Sequence, residues 1–118
     1  MGFAFKTDTF PEYIRFELRG EFDYAEMLGF IETVKVEAEA AGRNRIMVDS
    51  RLLSGDISES HKYFIGSRIA EVFGPSVRSA LLMREGTVTK LGEMAAVNRG
   101  ARLLVSDSES EVISFLLD

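Results

Sequence analysis

Residues 23–49, DYAEMLGFIETVKVEAEAAGRNRIMVD, join a long amphipathic helix to a short buried strand and so decide the fold class. Asp23 and Glu26 have the spacing of a capping box, which predicts a helix start. Apolar residues then recur at intervals of three and four, the period of one helix face, at Tyr24, Met27, Leu28, Ile31, Val34, Ala38 and Ala41. Gly42 predicts the end of the helix, and Arg45–Val48 predicts a buried strand.

On both sides of this segment the chain continues to alternate strands and helices. Phe3–Lys6 and Tyr13–Leu18 alternate apolar and polar residues, which predicts an antiparallel pair of strands. Further helices are predicted from Ser58, Thr87 and Ser108, and further strands at Val77–Met83 and Ala101–Val105. The order β-β-α-β-α-β-α-β-α predicts an α/β fold. Its mixed five-stranded sheet has the first strand antiparallel and the rest largely parallel, with four helices.

The composition is that of one small globular domain, spanning residues 1–118. Lys and Arg number 14 against 19 Asp and Glu, which gives a net charge of -5. An acidic chain without a basic run lacks the field that holds a nucleic-acid backbone, so nucleic acid is not an expected partner. The absence of cysteine excludes thiol nucleophiles and Cys-ligated metals.

Nothing in the sequence predicts export or membrane insertion. The N-terminal segment, residues 1–6, is too short and too soon polar for a signal peptide. No apolar run approaches the length of about 18 residues that a membrane-spanning helix needs. The expected location is therefore the cytoplasm.

Several local strings resemble the small bacterial STAS-like proteins, which are distantly related to anti-sigma-factor antagonists and to the CRAL-TRIO lipid-exchange fold. The strings are Leu18–Phe22 before the first long helix, Ile46–Asp49 in the central strand, Leu52–Gly55 after it and Asn98–Gly100 before the last strand. The resemblance implies the STAS fold and a regulatory module that binds a protein.

The resemblance also implies where a switch would lie. In regulatory STAS domains a kinase modifies a Ser or Thr in a tight turn after the central strand, and the added charge breaks a partner interface. The corresponding segment here, residues 49–56, departs from that pattern and is predicted to be a longer polar loop. Phosphorylation of Ser50 or Ser54 is accordingly the weaker alternative for its function.

The predicted binding edge lies beyond the carboxyl ends of the parallel strands, where open α/β sheets bind ligands and partners. The polar residues expected there are Asp49, Ser50, Arg51, Ser54, Asp56, Arg84 and Glu85. The same residues are also typical of ordinary turns and helix caps.

His61 is the only histidine and hence the one side chain suited to general-base chemistry near neutral pH. No nucleophile-elbow pattern accompanies it, so no catalytic residue is predicted, and a hydrolase is only a remote alternative. The carboxylates show no EF-hand or two-His spacing, and the glycines form no nucleotide-binding fingerprint. No metal and no cofactor are expected.

Tyr63, Phe64 and Phe73 on the predicted second helix form a candidate apolar interface or pocket. Residues 63, 64 and 65 are consecutive and apolar or aromatic, and consecutive helical residues cannot all face one core. Either a second subunit covers part of this helix, or the helix lines a pocket for a small apolar ligand. The sequence therefore predicts a non-enzymatic binding module that acts on a protein partner or on itself as a dimer, with a small apolar ligand or lipid as the alternative.

Overall fold

The computed structural model describes residues 2–118, so Met1 of the N-terminal segment lies outside the described residues. The strands are β1 Phe3–Thr9, β2 Ile14–Glu21, β3 Arg45–Ser54, β4 Arg78–Leu82 and β5 Arg102–Ser106. The helices are α1 Tyr24–Ala40, α2 Glu59–Phe73, α3 Leu91–Val97 and α4 Glu109–Leu117, with a short 3-10 turn at Gly74–Ser76. Among residues 2–118, no helix is long and apolar enough to cross a membrane.

The strands form one sheet in the order β1-β2-β3-β4-β5. β1 runs antiparallel to β2, and each later pair of neighbours is parallel. The fold class predicted from the order of elements is therefore confirmed. Because the parallel strands follow one another in space as in sequence, right-handed connections place α1, α2 and α3 on one face.

Each face of the sheet has its own apolar core. The larger core joins Phe16 and Val48 of the sheet to α1, α2 and α3, for example through Val34 and Ile69. The smaller core joins β3 and β4 to α4, whose buried residues are Val112 and Leu116. Alternate residues of β3 thus pack against different helices, Ile46 and Val48 on the face of α1 to α3 and Met47 on the face of α4. The same alternation decides to which face each polar residue of β3 points.

Three helix starts follow the sequence. The side chains of Asp23, Ser58 and Ser108 each accept a hydrogen bond from the backbone N–H three residues later, at 3.0 to 3.2 Å. Glu26 does not complete the first capping box. Its carboxylate instead accepts from the backbone N–H of Phe3 at 3.3 Å, because β1 lies beside the start of α1.

The prediction of a loop at residues 49–56 is wrong, because β3 continues through most of that segment, to Ser54. The pairing with β2 shifts there: Glu17 lies opposite Asp49, whereas Arg19 lies opposite Leu52. A β-bulge therefore places two residues of β3 against one of β2. Asp49, Ser50 and Arg51 are three consecutive polar residues, which is why the sequence indicates a loop.

The predicted start of the third helix at Thr87 is also wrong, since α3 begins at Leu91. The N–H and the Oγ1 of Thr87 both donate to the carbonyl oxygen of Arg84, at 3.2 and 2.7 Å. Gly86, inside this turn, has a φ of +82°, a conformation that glycine adopts without strain. Thr87 therefore closes a tight turn after β4 rather than capping a helix.

Gly92 permits a close approach of α2 and α3. A Cβ atom on Gly66 of α2 would lie 2.0 Å from the carbonyl oxygen of Gly92. A Cβ atom on Gly92 would lie 2.9 Å from the carbonyl oxygen of Lys62. The two helices thus pack backbone to backbone at this crossing.

Candidate binding site at the carboxyl end of the sheet

The pleat of β3 separates the polar residues that the sequence places at one edge. Asp49 and Arg51 point to the face that carries α4, where Arg51 Nη2 lies 2.8 Å from the Asp49 carboxylate. Ser50 points to the opposite face, where it lines a pocket with Asp56 and Arg84. The structure therefore brings together only part of the predicted edge.

The two remaining residues of the predicted edge do not line that pocket. Ser54 Oγ donates to the carbonyl oxygen of Gly20 at 2.9 Å, which ties the end of β3 to β2. Glu85 is exposed in the turn after β4. A role for either residue in binding stays a prediction.

We use the name carboxyl-end pocket for the opening beyond β3 and β4, which has a volume of about 360 Å³. It is lined by Ser50, Leu53, Gly55, Asp56, Ile57, Lys62, Met83, Arg84, Gly86, Thr87 and Thr89. Lys62 Nζ lies 3.1 Å from the Glu59 carboxylate and 3.2 Å from Thr89 Oγ1. Asp56 and Arg84, which also line the pocket, carry opposite charges. The lining is mixed polar and apolar, and with Glu59 counted it has one carboxylate for each cation.

Beneath this pocket lies the inner cavity, a space of about 80 Å³ between the sheet and the three helices. Its walls are almost entirely apolar, with Leu18, Val34, Ile69 and Phe73 among them. Ser50, Met83 and Thr87 line both spaces, so the cavity adjoins the pocket. An apolar chamber below a polar mouth is the usual form of a small-molecule site.

On the other face of the sheet, Asp49 is the centre of a charge network. Its carboxylate is almost fully buried and accepts from Arg15 Nη2 at 2.6 Å and from Arg51 Nε at 3.0 Å. Arg15 also contacts Glu17 at 3.1 Å, and Arg51 lies 3.5 Å from Glu109 of α4. The network thus links β2, β3 and α4.

This network lowers the pKa values of the carboxylates of Asp49 and Glu17. Burial by itself raises the pKa of Asp49, but hydrogen bonds from Arg51 and then from Arg15 outweigh that effect and hold it below its ordinary value. The hydrogen bond from Arg15 likewise lowers the pKa of Glu17. Because both carboxylates already have cationic partners, we interpret the network as structural. Across residues 2–118, no three His, Cys, Asp or Glu side chains are grouped so as to hold a metal ion.

The two candidate phosphorylation sites differ in accessibility. Ser50 is buried, and its hydroxyl donates to the carbonyl oxygen of Leu82 at 3.1 Å. Ser54 is exposed at the end of β3. A kinase would need to open the sheet to reach Ser50, so that Ser54 is the more accessible of the two hydroxyls.

His61 lies at the first turn of α2, stacked on the ring of Tyr24 with 3.9 Å between the ring centroids. Its backbone N–H donates to Ser58 Oγ at 3.2 Å. Within the described range 2–118, the imidazole makes no hydrogen bond to a serine hydroxyl or to a carboxylate. The arrangement of a nucleophile, a base and an orienting acid is therefore not assembled around it.

The three aromatic residues of α2 face different surroundings. Phe73 is 5% exposed and lines the inner cavity, whereas Phe64 is 52% exposed. The Tyr63 hydroxyl accepts a hydrogen bond from Arg99 Nη2 at 2.7 Å, and the Arg99 guanidinium lies over its ring. Only Tyr63 and Phe64 are therefore available at the surface, and their role in an interface stays a prediction.

Phe64 lies in an open depression of about 450 Å³ between α1 and α2, which we name the α1–α2 groove. The groove is lined by Tyr24, Leu28, Phe64, Ser67, Arg68, Ala70, Glu71 and Arg99. Its rim is charged, and Arg68 forms ion pairs with Glu32 and Glu71. An exposed aromatic ring surrounded by charged residues has the composition of a protein-binding surface.

Sequence reasoning missed Lys62 as a member of the site. Lys62 precedes Gly66 and Ile69 by four and seven residues, so the helical period places it on their inward face. Arg15 and Glu17 were missed as partners of Asp49 as well. Both alternate with the buried residues of β2, which puts them on the opposite side of that strand.

No family model matches this chain, and no curated protein matches it by sequence. Its fold is similar to that of an anti-sigma factor antagonist from Mycobacterium paratuberculosis, with a TM-score of 0.66, 12% identity, and coverage of 99% of this chain and 96% of that one. It is also similar to an uncharacterised DUF3478-family protein with a SpoIIAA-like fold from Shewanella loihica, with a TM-score of 0.55, 16% identity, and coverage of 98% and 93%. The chain therefore has the SpoIIAA-like, or STAS-like, fold. A relationship to the CRAL-TRIO fold stays a prediction.

Proposed function

We propose that this chain is a non-enzymatic regulatory module that binds a protein partner through the α1–α2 groove. The observation that carries the proposal is Phe64, a large aromatic side chain that is 52% exposed in a groove on the helical face. Aromatic residues at the centre of such surfaces contribute much of the binding free energy in protein interfaces. The fold shared with an anti-sigma factor antagonist supports a regulatory role.

The proposal places the module in the cytoplasm, where a second copy of the chain or a different protein covers the groove. The groove is suited to either, because its centre is apolar and Arg68 of its rim is already paired with Glu32 and Glu71. A partner would gain affinity mainly from enclosing the ring of Phe64 and the side chain of Leu28.

The test compares wild-type protein with Phe64→Ala as bait in affinity capture and in light scattering. We expect a specific partner, or a concentration-dependent dimer, whose affinity falls at least tenfold in the variant, because truncating an interface hot spot costs about 2 kcal/mol or more. Val36→Ala is the matched control, since Val36 is 64% exposed on α1 and does not line the groove. A monomeric protein that captures nothing, or a partner retained by Phe64→Ala, would contradict the proposal.

A second function, binding of a small apolar ligand, is favoured by the inner cavity and its polar mouth. The cavity has a volume of about 80 Å³, roughly half the volume of a cavity that accepts benzene. A whole lipid would therefore not fit within it. Native mass spectrometry of the protein purified from cells would test this function. A co-purifying small molecule supports it, and a bare mass at every stage of purification argues against it.

A further inference from the structure

The inner cavity contains one polar group that the fold itself does not use. Ser79 of β4 is 2% exposed and lies among the apolar residues of the cavity wall. Among residues 2–118, its hydroxyl has no hydrogen-bond partner. A buried hydroxyl without a partner costs free energy, which makes this serine unusual in an otherwise apolar core.

The Ser79 hydroxyl faces open space and not packed atoms. No completely enclosed side-chain nitrogen or oxygen lacks a hydrogen-bond partner in the described chain. The unpartnered Oγ of Ser79 must therefore border the cavity that Ser79 lines. From there it can donate one hydrogen bond and accept others from a molecule inside the cavity.

The entrance to the cavity holds two cations and, with Glu59 counted, two carboxylates. The positive charge of Lys62 lies 3.1 Å from the carboxylate of Glu59, and Arg84 shares the rim of the carboxyl-end pocket with Asp56. A balanced entrance does not select an ion. It admits a neutral molecule, and the apolar walls beyond it favour one with an apolar body.

We propose that the inner cavity binds a small neutral molecule with an apolar body and one hydroxyl or carbonyl group, which hydrogen-bonds to Ser79. The inference rests on the ligand-binding function proposed above and names its chemical class. Because a cavity of 150 Å³ accepts benzene, one of about 80 Å³ accepts a body of roughly three or four carbon atoms. Short-chain alcohols have this form, and the carboxyl-end pocket is the route by which they enter.

The experiment is an NMR titration of the full chain with two probes, xenon and isobutanol. Xenon reports on the apolar space alone, whereas isobutanol adds a hydroxyl. We expect both to shift the methyl resonances of the cavity residues Ile65, Leu81 and Val105. In Ser79→Ala we expect unchanged xenon affinity and about fivefold weaker isobutanol binding, the loss of one neutral hydrogen bond.

Ser114→Ala is the matched control, because Ser114 is exposed on α4, on the other face of the sheet. It should leave both affinities unchanged. If Ser79→Ala binds isobutanol as tightly as the wild type while xenon still binds, the proposed chemical class is wrong and apolar ligand binding stands. If neither probe shifts the cavity methyl groups, both the class and the ligand-binding function are wrong.

Discussion

At the scale of single residues, Asp49 shows how a buried charge is held in this fold. Its carboxylate would be costly to bury alone, and two guanidinium groups and the backbone N–H of Arg51 donate to it. The Arg15 side chain is itself only 16% exposed, so each charge depends on the other. Removal of one partner leaves the other buried without compensation.

We expect Asp49→Asn to lower the free energy of unfolding by about 2–3 kcal/mol at neutral pH, because it removes the negative charge that faces two arginines. Urea unfolding followed by circular dichroism measures this. Asp8→Asn is the control: Asp8 also pairs with Arg15, at 3.6 Å, but is 47% exposed and should change stability by less than about 0.5 kcal/mol. Equal losses in the two variants would show that burial does not decide the strength of the network.

Ser79 differs from the other buried serines in lacking a partner. We expect Ser79→Ala to leave the free energy of unfolding unchanged or to raise it by up to about 1 kcal/mol, since no hydrogen bond is lost. Ser106 is equally buried, but its Oγ accepts from the backbone N–H of Ser108 at 3.0 Å. Ser106→Ala should therefore lower the free energy of unfolding by about 1 kcal/mol, and a similar loss in Ser79→Ala would mean that the Ser79 hydroxyl has a partner in solution.

At the scale of elements, the crossing of α2 and α3 depends on two glycines. Both lie in helices, where glycine is intrinsically unfavourable by about 1 kcal/mol relative to alanine. The close backbone contact between Gly66 and Gly92 explains why they occur there. This contact forms one wall of the inner cavity, since both glycines line it.

We expect Gly66→Ala to lower the free energy of unfolding by about 2–3 kcal/mol, because the new methyl group would overlap a backbone carbonyl that cannot move freely. Gly29 of α1 provides the control, as a Cβ atom there would meet nothing within 4 Å. Gly29→Ala should raise the free energy of unfolding by about 0.5–1 kcal/mol through helix propensity alone. Thermal unfolding of both variants measures the difference, and a stabilised Gly66→Ala would show that the helices can separate at no cost.

Most elements could be predicted from the sequence because their signals are local. A side chain at Asp23, Ser58 or Ser108 satisfies a backbone N–H three residues away, so the helix start is visible in a short window. The extension of β3 was not predictable in this way, because the bulge depends on the register with β2. The inner cavity was not predictable either, since it depends on how side chains from distant parts of the sequence pack together.

At the scale of the whole molecule, the two faces of the sheet have different chemistry. The face with α1, α2 and α3 holds the larger apolar core, the cavity and the groove. The face with α4 holds a smaller core beside the network around Asp49. We therefore expect loss of the charges around Asp49 to weaken the attachment of α4 to the sheet. The proposed binding surfaces lie on the other face and should not change.

The charge network around Asp49 predicts how the stability of the fold changes with pH. The pKa values of Asp49 and Glu17 are lowered in the folded protein. Their contribution to the free energy of unfolding is therefore fully present above their pKa values in the unfolded chain, about 3.9 and 4.3. The contribution is lost as the pH falls through the folded values. The pKa values of Arg15 and Arg51 are raised, so both stay charged throughout this range and add no pH dependence.

We therefore expect the midpoint of thermal unfolding to be nearly level between about pH 7 and pH 5 and to fall below about pH 4. The deficit of Asp49→Asn relative to wild type should shrink over the same interval, because protonation removes from the wild type the charge that the variant already lacks. Scanning calorimetry of both proteins from pH 7 to pH 3 measures the two curves. A deficit that stays constant down to pH 3 would mean that the carboxylate of Asp49 contributes through packing and not through its charge.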